Sequence, residues 1–256
     1  MGGHKAGDVA SQMATEAITQ FFTETDGEDS TWPFHFDPQR TYEENRLLAG
    51  VKLANRRIYE ASVGNLDVQG MGTTVVSCVF SSTSEKVYIG HVGDSRCYRL
   101  RDDEFMLLTR DHSLVNDYRQ AMPHLTEEQM AALPRNVITR ALGMQESVVV
   151  DIQIDVPEPG DVYLLCSDGL SEALSEEEII DTLKDHTEDL EEASKELVEK
   201  ANANGGDDNI TVLLIAVDDR SPKSSDETDR DDETDQDDED LEITQRHTPD
   251  EETKDS

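Results

Sequence analysis

The spacing of apolar residues changes at Met71, and this change limits the folds open to the chain. Before it, apolar side chains recur every three or four residues, which predicts a helix from His4 to near Gly27 and a second between Tyr42 and Val63. After it, β-branched runs predict strands. Strands flanked by helices favour an α+β fold.

The predicted strands are short and separated by Ser-rich or Gly-containing turns. Antiparallel pairing of neighbours is the simplest arrangement for them, and their ranges are 73–80, 86–92, 97–101, 148–156 and 162–166. A further run, 209–217, is almost continuously apolar, which predicts a central strand buried on both faces.

Capping boxes mark two of the later helices. Thr126 with Gln129 predicts a short helix that Pro134 terminates, in an insertion of the kind that often lies over a site. Ser175 with Glu178 predicts another, and a third helix is predicted over 188–201. Together the elements predict two sheets with helices outside them.

The charge balance excludes several partners. The chain has 58 acidic and 22 basic residues, a net charge of −36, and such a field repels nucleic acid and anionic lipid. A phosphate-handling site in this field requires cations that invert the local charge. The last 37 residues, 220–256, are rich in Asp, Glu, Ser and Thr, which predicts a disordered acidic tail after a domain spanning 1–219.

The cysteines indicate that the protein occupies a reducing compartment. Cys78, Cys97 and Cys166 lie in or beside apolar runs, which predicts buried free thiols in a reducing environment. The longest apolar stretch, 210–217, is too short to cross a bilayer, so a cytoplasmic protein is expected.

Aspartates recur where predicted strands end or begin. Asp168 follows one apolar strand, Asp207 and Asp208 precede another, Asp111 follows Leu107 and Leu108, and Asp94 lies in a Gly-Asp-Ser-Arg turn. Sequence-distant aspartates at strand ends can assemble a site for magnesium or manganese, which prefer oxygen ligands. The alternative is that each Asp-Gly or Gly-Asp pair only marks a turn.

Six segments, taken in order, resemble the motifs of bacterial type 2C protein phosphatases, the metal-dependent PPM family. They are 1–7 (MGGHKAG), 72–74 (GTT), 93–96 (GDSR), 108–113 (LTRDHS), 166–170 (CSDGL) and 206–212 (GDDNITV). The resemblance covers 1–219 and implies an α/β/β/α sandwich of two antiparallel sheets with a metal centre at one edge.

The resemblance also implies roles for individual residues. Asp168 and Asp208 would be ligands of two central Mn²⁺ or Mg²⁺ ions, and Asp111 with Asp168 would hold a third; Asp207 would be a neighbour. His4 would donate a proton to the departing seryl or threonyl oxygen, or would instead pack beside the glycine-rich turn. The implied reaction is metal-assisted hydrolysis of phosphoserine and phosphothreonine in proteins, opposing a serine/threonine kinase, by a monomer.

The chain departs from the family at its start. Family members carry an Asp-Gly pair immediately before the Met-Gly-Gly-His turn, and here the chain begins at that Met. We therefore expect a phosphatase domain that is incomplete at its N-terminus, either because the sequence starts at an internal methionine or because the short chain is real. The second case leaves an alternative function, a catalytically inactive phosphatase-like binding module.

Overall fold

The computed structural model describes residues 4–25, 32–134, 137–206 and 208–218. The predicted tail over 220–256 lies outside these ranges, as do residues 1–3 and Asp207. Within them, two antiparallel sheets lie between layers of helices, which confirms the predicted α/β/β/α sandwich.

Two long helices cover the first sheet. Helix α1 is His4–Glu24 and α2 is Tyr42–Gly64, close to the predicted ranges. Thr41 and Glu44 form a capping box that satisfies backbone N–H groups at the start of α2. The apolar faces of both helices pack with Tyr88 and Val92 in one core cluster, and a short 3₁₀ helix, Leu66–Val68, follows α2.

The strands divide into two sheets. The first contains β1 (Val75–Ser81), β2 (Lys86–Val92) and β5 (Asp151–Asp155) in the order β1-β2-β5. The second contains β3 (Arg96–Arg101), β4 (Glu104–Leu107), β6 (Val162–Cys166) and β7 (Val212–Ala216) in the order β4-β3-β6-β7. All described pairings are antiparallel.

Pairing of all neighbouring strands, as the sequence suggested, is wrong for β2 and β3. The turn at 93–95 carries the chain from the first sheet to the second, so these two strands do not pair with each other. The side chains of Val87 and Ile89 instead pack against Cys97, Tyr163 and Leu165 between the sheets.

The prediction of a central final strand is also wrong. Among the described strands β7 is the outer one of its sheet, and Leu213 is 51% exposed. The sequence of β7 is nearly all apolar because residues from each of its two faces pack against another layer. Val212 and Leu214 pack in the cluster that includes the helices, and Ile215 packs in the cluster between the sheets.

The remaining helices flank the second sheet and one end of the sandwich. They are α3 (Leu114–Ala121), α4 (Glu127–Ala131), α5 (Asp168–Ser171), α6 (Glu176–Asp185) and α7 (Leu190–Ala203). Both predicted capping boxes are present, at the starts of α4 and α6. Helices α3 and α5 and strand β4 were not predicted.

No described helix is long and apolar enough to span a bilayer. Cys97 and Cys166 are buried and Cys78 is partly buried, and all three are free thiols, as expected. Burial raises the pKa of Cys78 to about 11, so this thiol stays protonated near neutral pH.

Candidate metal centre

One cavity collects aspartates from separate loops. It has a volume of about 530 Å³ and is bordered by Asp94 from the β2–β3 turn, Asp111 after β4, and Asp168 at the start of α5. Glu172, directly after α5, also lines it. The fold therefore brings together carboxylates that are far apart in sequence, which is how sites for hard cations are assembled.

Asp168 is partly buried at the start of α5, whereas Asp208 is exposed. Burial raises the pKa of Asp168, and the nearby charge of Asp208 raises it further. Its Oδ1 accepts the Gly169 N–H at 2.9 Å, and the Oδ1 of Asp208 accepts the Asn209 N–H at 2.7 Å. Each carboxylate thus uses one oxygen locally, and both fit the ligation of a divalent cation through the other.

Gly169 shows how closely the Asp168 loop approaches the strand that leads from Asp208. A Cβ at Gly169 would lie 2.6 Å from the Asn209 carbonyl oxygen, nearer than real Cβ atoms come. Ser167 strengthens the same approach, because its hydroxyl donates to the Asn209 carbonyl and accepts the Thr211 N–H. The Asp168 and Asp208 segments are therefore tied together by backbone contacts.

Asp94 is a site residue whose importance the sequence understated. Burial raises its pKa to about 6, and the charges of Asp168, Asp111 and Glu172 act in the same direction. Arg96, from the same turn, bonds to Asp111 and Tyr98. A carboxylate under this repulsion is stabilised by any cation that enters the cavity.

Asp111 is held by Arg96. The guanidinium donates from Nε to Oδ1 at 3.0 Å and from Nη2 to Oδ2 at 2.7 Å, a bidentate pair, and its Nη1 donates to the Tyr98 hydroxyl at 3.0 Å. Both oxygens of Asp111 are therefore engaged in this structure. Ligation of a third ion by Asp111 and Asp168 stays a prediction, and it would use the carboxylate lone pairs that Arg96 leaves open.

His112 joins the Asp111 segment to the Asp94 turn. Its backbone N–H donates to the Gly93 carbonyl at 2.9 Å, and its Nδ1 accepts the Gly93 N–H at 2.9 Å. Gly93 has φ +113°, and a Cβ there would lie 2.3 Å from Thr74 Cγ2. Only glycine fits this position, which places Asp94 beside the cavity.

A second polar cluster lies behind this turn. The rings of His91 and His112 are stacked with centroids 4.7 Å apart, and potential ligand atoms of the two histidines and Asp151 lie within 4.8 Å of one another. Two imidazoles can bind one metal ion only when their nitrogen lone pairs point toward the same place. The rings of His91 and His112 are nearly parallel, so their lone pairs point side by side and do not form a metal site. Arg140 already supplies the positive charge, since its Nη1 lies 2.7 Å from Asp151 Oδ1 and 3.0 Å from His112 Nε2.

One side of the cavity is formed by α3 and by α4, the helix that was predicted in the insertion. Val115, Asn116 and Arg119 of α3 and Met130 of α4 line it, and Met130 is only 7% exposed. The signal for α3 was weak because its cap, Ser113, is followed three residues later by Asn116 instead of Glu or Gln.

Two predicted residues have no described geometry. His4 begins α1, but its side chain is not among those that the structure describes, so its role as proton donor stays a prediction. Asp207 lies outside the described residues.

Comparison with known proteins agrees with this arrangement. Residues 1–205 match the family model described as "Protein phosphatase 2C". The "Serine/threonine phosphatase stp" of Listeria innocua is 37% identical over 220 residues, which cover 84% of this chain and 81% of that protein.

Solved structures give the same result. A serine/threonine phosphatase of S. agalactiae superposes with a TM-score of 0.72 at 35% identity, covering 85% of this chain and 84% of that one. The catalytic domain of the phosphatase PstP, solved with two manganese ions, gives 0.68 at 33% identity, covering 86% and 85%. Neither the fold nor these relatives support the alternative of an inactive binding module, and the chain belongs to the protein phosphatase 2C family, among the bacterial serine/threonine phosphatases.

Proposed function

We propose that this protein hydrolyses phosphoserine and phosphothreonine in proteins at the cavity between Asp94 and Asp168, with Asp168 and Asp208 as ligands of two divalent cations. The observation that carries the proposal is the convergence of carboxylates from separate loops on this cavity, where burial first and mutual repulsion second raise the pKa of Asp168 and of Asp94. Bound Mn²⁺ or Mg²⁺ relieves that repulsion, and Asp111 with Asp168 completes a third, weaker site.

The divalent cations supply an activated water and neutralise the charge of the phosphate. The protein's own residues provide geometry. The Asp168 and Asp208 segments are tied through Ser167, and the Asp94 turn is fixed through His112. His4, at the start of α1, donates a proton to the leaving seryl or threonyl oxygen.

We also propose the substrates, the cellular location and the oligomeric state of the protein. The substrates are phosphoproteins modified by a serine/threonine kinase, and the protein works as a cytoplasmic monomer. Free, buried Cys97 and Cys166 support a reducing compartment. The residues 220–256 form an acidic tail outside the phosphatase domain, and deletion of the tail is expected to leave turnover of a phosphothreonine peptide unchanged.

Metal binding can be tested apart from turnover. Mn²⁺ should raise the melting temperature of the wild type, because a ligand at 100 times its Kd stabilises a fold by about 2.7 kcal/mol. Asp168→Asn and Asp208→Asn should lose most of this shift, whereas Asp103→Asn should keep it because Asp103 is exposed and pairs with Lys184. An unchanged Mn²⁺ shift in Asp168→Asn would contradict the assignment.

Turnover is the second readout. Manganese-dependent release of phosphate from a phosphothreonine peptide should be abolished by Asp168→Asn and retained by Asp103→Asn. Absence of manganese-dependent phosphate release by the wild type would overturn the proposed function.

A further inference from the structure

The side of the cavity that α3 forms carries a cation that is held differently from the others. Three arginines line the cavity: Arg96, Arg110 and Arg119. Arg96 is held by Asp111, and Nη2 of Arg110 lies 3.7 Å from Asp151. Among the residues that the structure describes, Arg119 contacts no carboxylate, and its partner is the neutral side-chain oxygen of Asn116 at 2.9 Å.

Arg119 is nevertheless held in place. Asn116 donates from Nδ2 to the backbone carbonyl of Asp111 at 3.2 Å, and its Oδ1 accepts a hydrogen bond from Arg119 Nη1. The two residues lie three positions apart on α3, so they share one face of the helix. This contact orients one edge of the guanidinium toward Asn116 and leaves its other donors available at an exposed position.

The surrounding charge determines what those donors can bind. The rest of the cavity presents Asp94, Asp168 and Glu172. In the proposed function, the phosphate that is removed lies with the cations near Asp168. Any second anionic group on the same substrate would be repelled by the acidic wall, and the forked guanidinium of Arg119 matches the shape of a carboxylate or phosphate.

We propose that Arg119 selects substrates by binding a second anionic group, a carboxylate or another phosphate, close to the phosphorylated residue. This inference rests on the proposed function and names its substrate class. The cavity, about 530 Å³, is the size of a small-molecule site, so both anions must come from neighbouring side chains of one peptide.

The test compares phosphothreonine peptides that are identical except for one flanking position, which carries glutamate, glutamine or phosphoserine. The wild type should favour the glutamate or the phosphoserine peptide over the glutamine peptide by about fivefold in kcat/KM, the scale of one exposed ion pair. Preference for both identifies the anion in general, and preference for phosphoserine alone identifies phosphate as the group bound. The preference should shrink in high salt.

Three variants separate the role of Arg119 from a general effect of charge. Arg119→Gln should abolish the preference and Arg119→Glu should reverse it. Arg40→Gln changes the net charge by the same amount as Arg119→Gln, but Arg40 pairs with Asp37 and Glu44 and does not line the cavity, so it should keep the preference. Hydrolysis of a small aryl phosphate should be the same in Arg40→Gln as in the wild type.

A binding readout removes the dependence on turnover. Fluorescence anisotropy with labelled, non-hydrolysable difluoromethylene phosphonate versions of the peptides, in Mn²⁺, should show the same order of affinities. Equal binding of all the peptides by the wild type, or an unchanged preference in Arg119→Gln, overturns the role of Arg119. Selective binding that is lost in Arg119→Gln without any turnover supports Arg119 and counts against the proposed function instead.

Discussion

Some single residues in the cavity lower the stability of the metal-free protein. Asp94 illustrates it, because burial and the charges of Asp168, Asp111 and Glu172 raise its pKa to about 6. A carboxyl with a folded-state pKa above the unfolded value binds its proton more tightly in the fold. The contribution of Asp94 to the free energy of unfolding should therefore fall as the pH rises from about 4 to 6.

Asp94→Asn should remove that part of the pH dependence. In EDTA at pH 7.5 we expect the variant to be more stable than the wild type by about 1–3 kcal/mol, and at pH 4 the two should be similar. Urea unfolding at both pH values measures this. A variant that is less stable than the wild type at pH 7.5 would show that Asp94 makes a favourable contact that outweighs its burial.

At the same scale, the sequence indicated carboxylates but not their partners. Asp168 and Asp111 could be singled out because each follows an apolar strand. The Arg96–Asp111 pair and the stacked histidines depend on the turn that crosses between the sheets. No local pattern encodes a contact of that kind, because it depends on which strands become neighbours.

At the scale of elements, one ion pair fastens the end of β3 to the loop before β6. Arg101 donates to both oxygens of Asp161 at 2.7 Å and to the Val156 carbonyl at 2.8 Å. The Asp161 side chain is 0% exposed. Burial alone would raise the pKa of Asp161, but the hydrogen bonds from Arg101 and the Glu158 N–H keep that pKa below its ordinary value.

Arg101→Met should cost about 3–5 kcal/mol, because it leaves a buried carboxylate without its partner. Arg40→Met is the matched control, since the ion pairs of Arg40 are exposed and worth less than about 1 kcal/mol. The depressed pKa means that the stabilisation is present above the ordinary pKa of aspartate and is lost at lower pH. Urea titrations at pH 7 and pH 3 should therefore differ, and an equal loss in both substitutions would refute the argument.

Two of the later helices could be placed from the sequence because each begins with a capping box. Thr126 with Gln129 and Ser175 with Glu178 fixed the starts of α4 and α6. Strand β4 has four residues and follows β3 through a tight turn with Asp102 at φ +51°. The apolar pattern of β4 was too short to be distinguished from that of β3 in the sequence.

At the scale of the whole molecule, the net charge of −36 opposes the compact state. Salt shortens the Debye length from about 30 Å at 0.01 M to about 3 Å at 1 M. The melting temperature should therefore rise by several degrees between 10 and 500 mM NaCl in scanning calorimetry. A chain without residues 220–256, which hold 16 acidic and five basic side chains, should respond less. A melting temperature that falls with salt would mean that pairs such as Arg101–Asp161 outweigh the repulsion.

The pattern of elements predicted two sheets with helices outside them, and the resemblance to a family implied their α/β/β/α arrangement. Periodicity identified most strands, yet it assigned β2 and β3 to one sheet and placed β7 at the centre. Apolar composition reports how many faces of a strand are covered, and β7 is covered by helices on one face and by the other sheet on the second. Position within a sheet depends on pairing partners, which composition does not encode.

The crossing at 93–95 has a consequence for how the enzyme loses activity. Asp94 lies two residues before β3 and Asp168 two residues after β6, and the antiparallel pairing of these strands aligns Arg96 with Cys166. The distance between the two carboxylates therefore depends on this one end of the β3–β6 pair. Fraying of that end would separate the carboxylates while the rest of both sheets remained intact, so inactivation on gentle heating should precede unfolding.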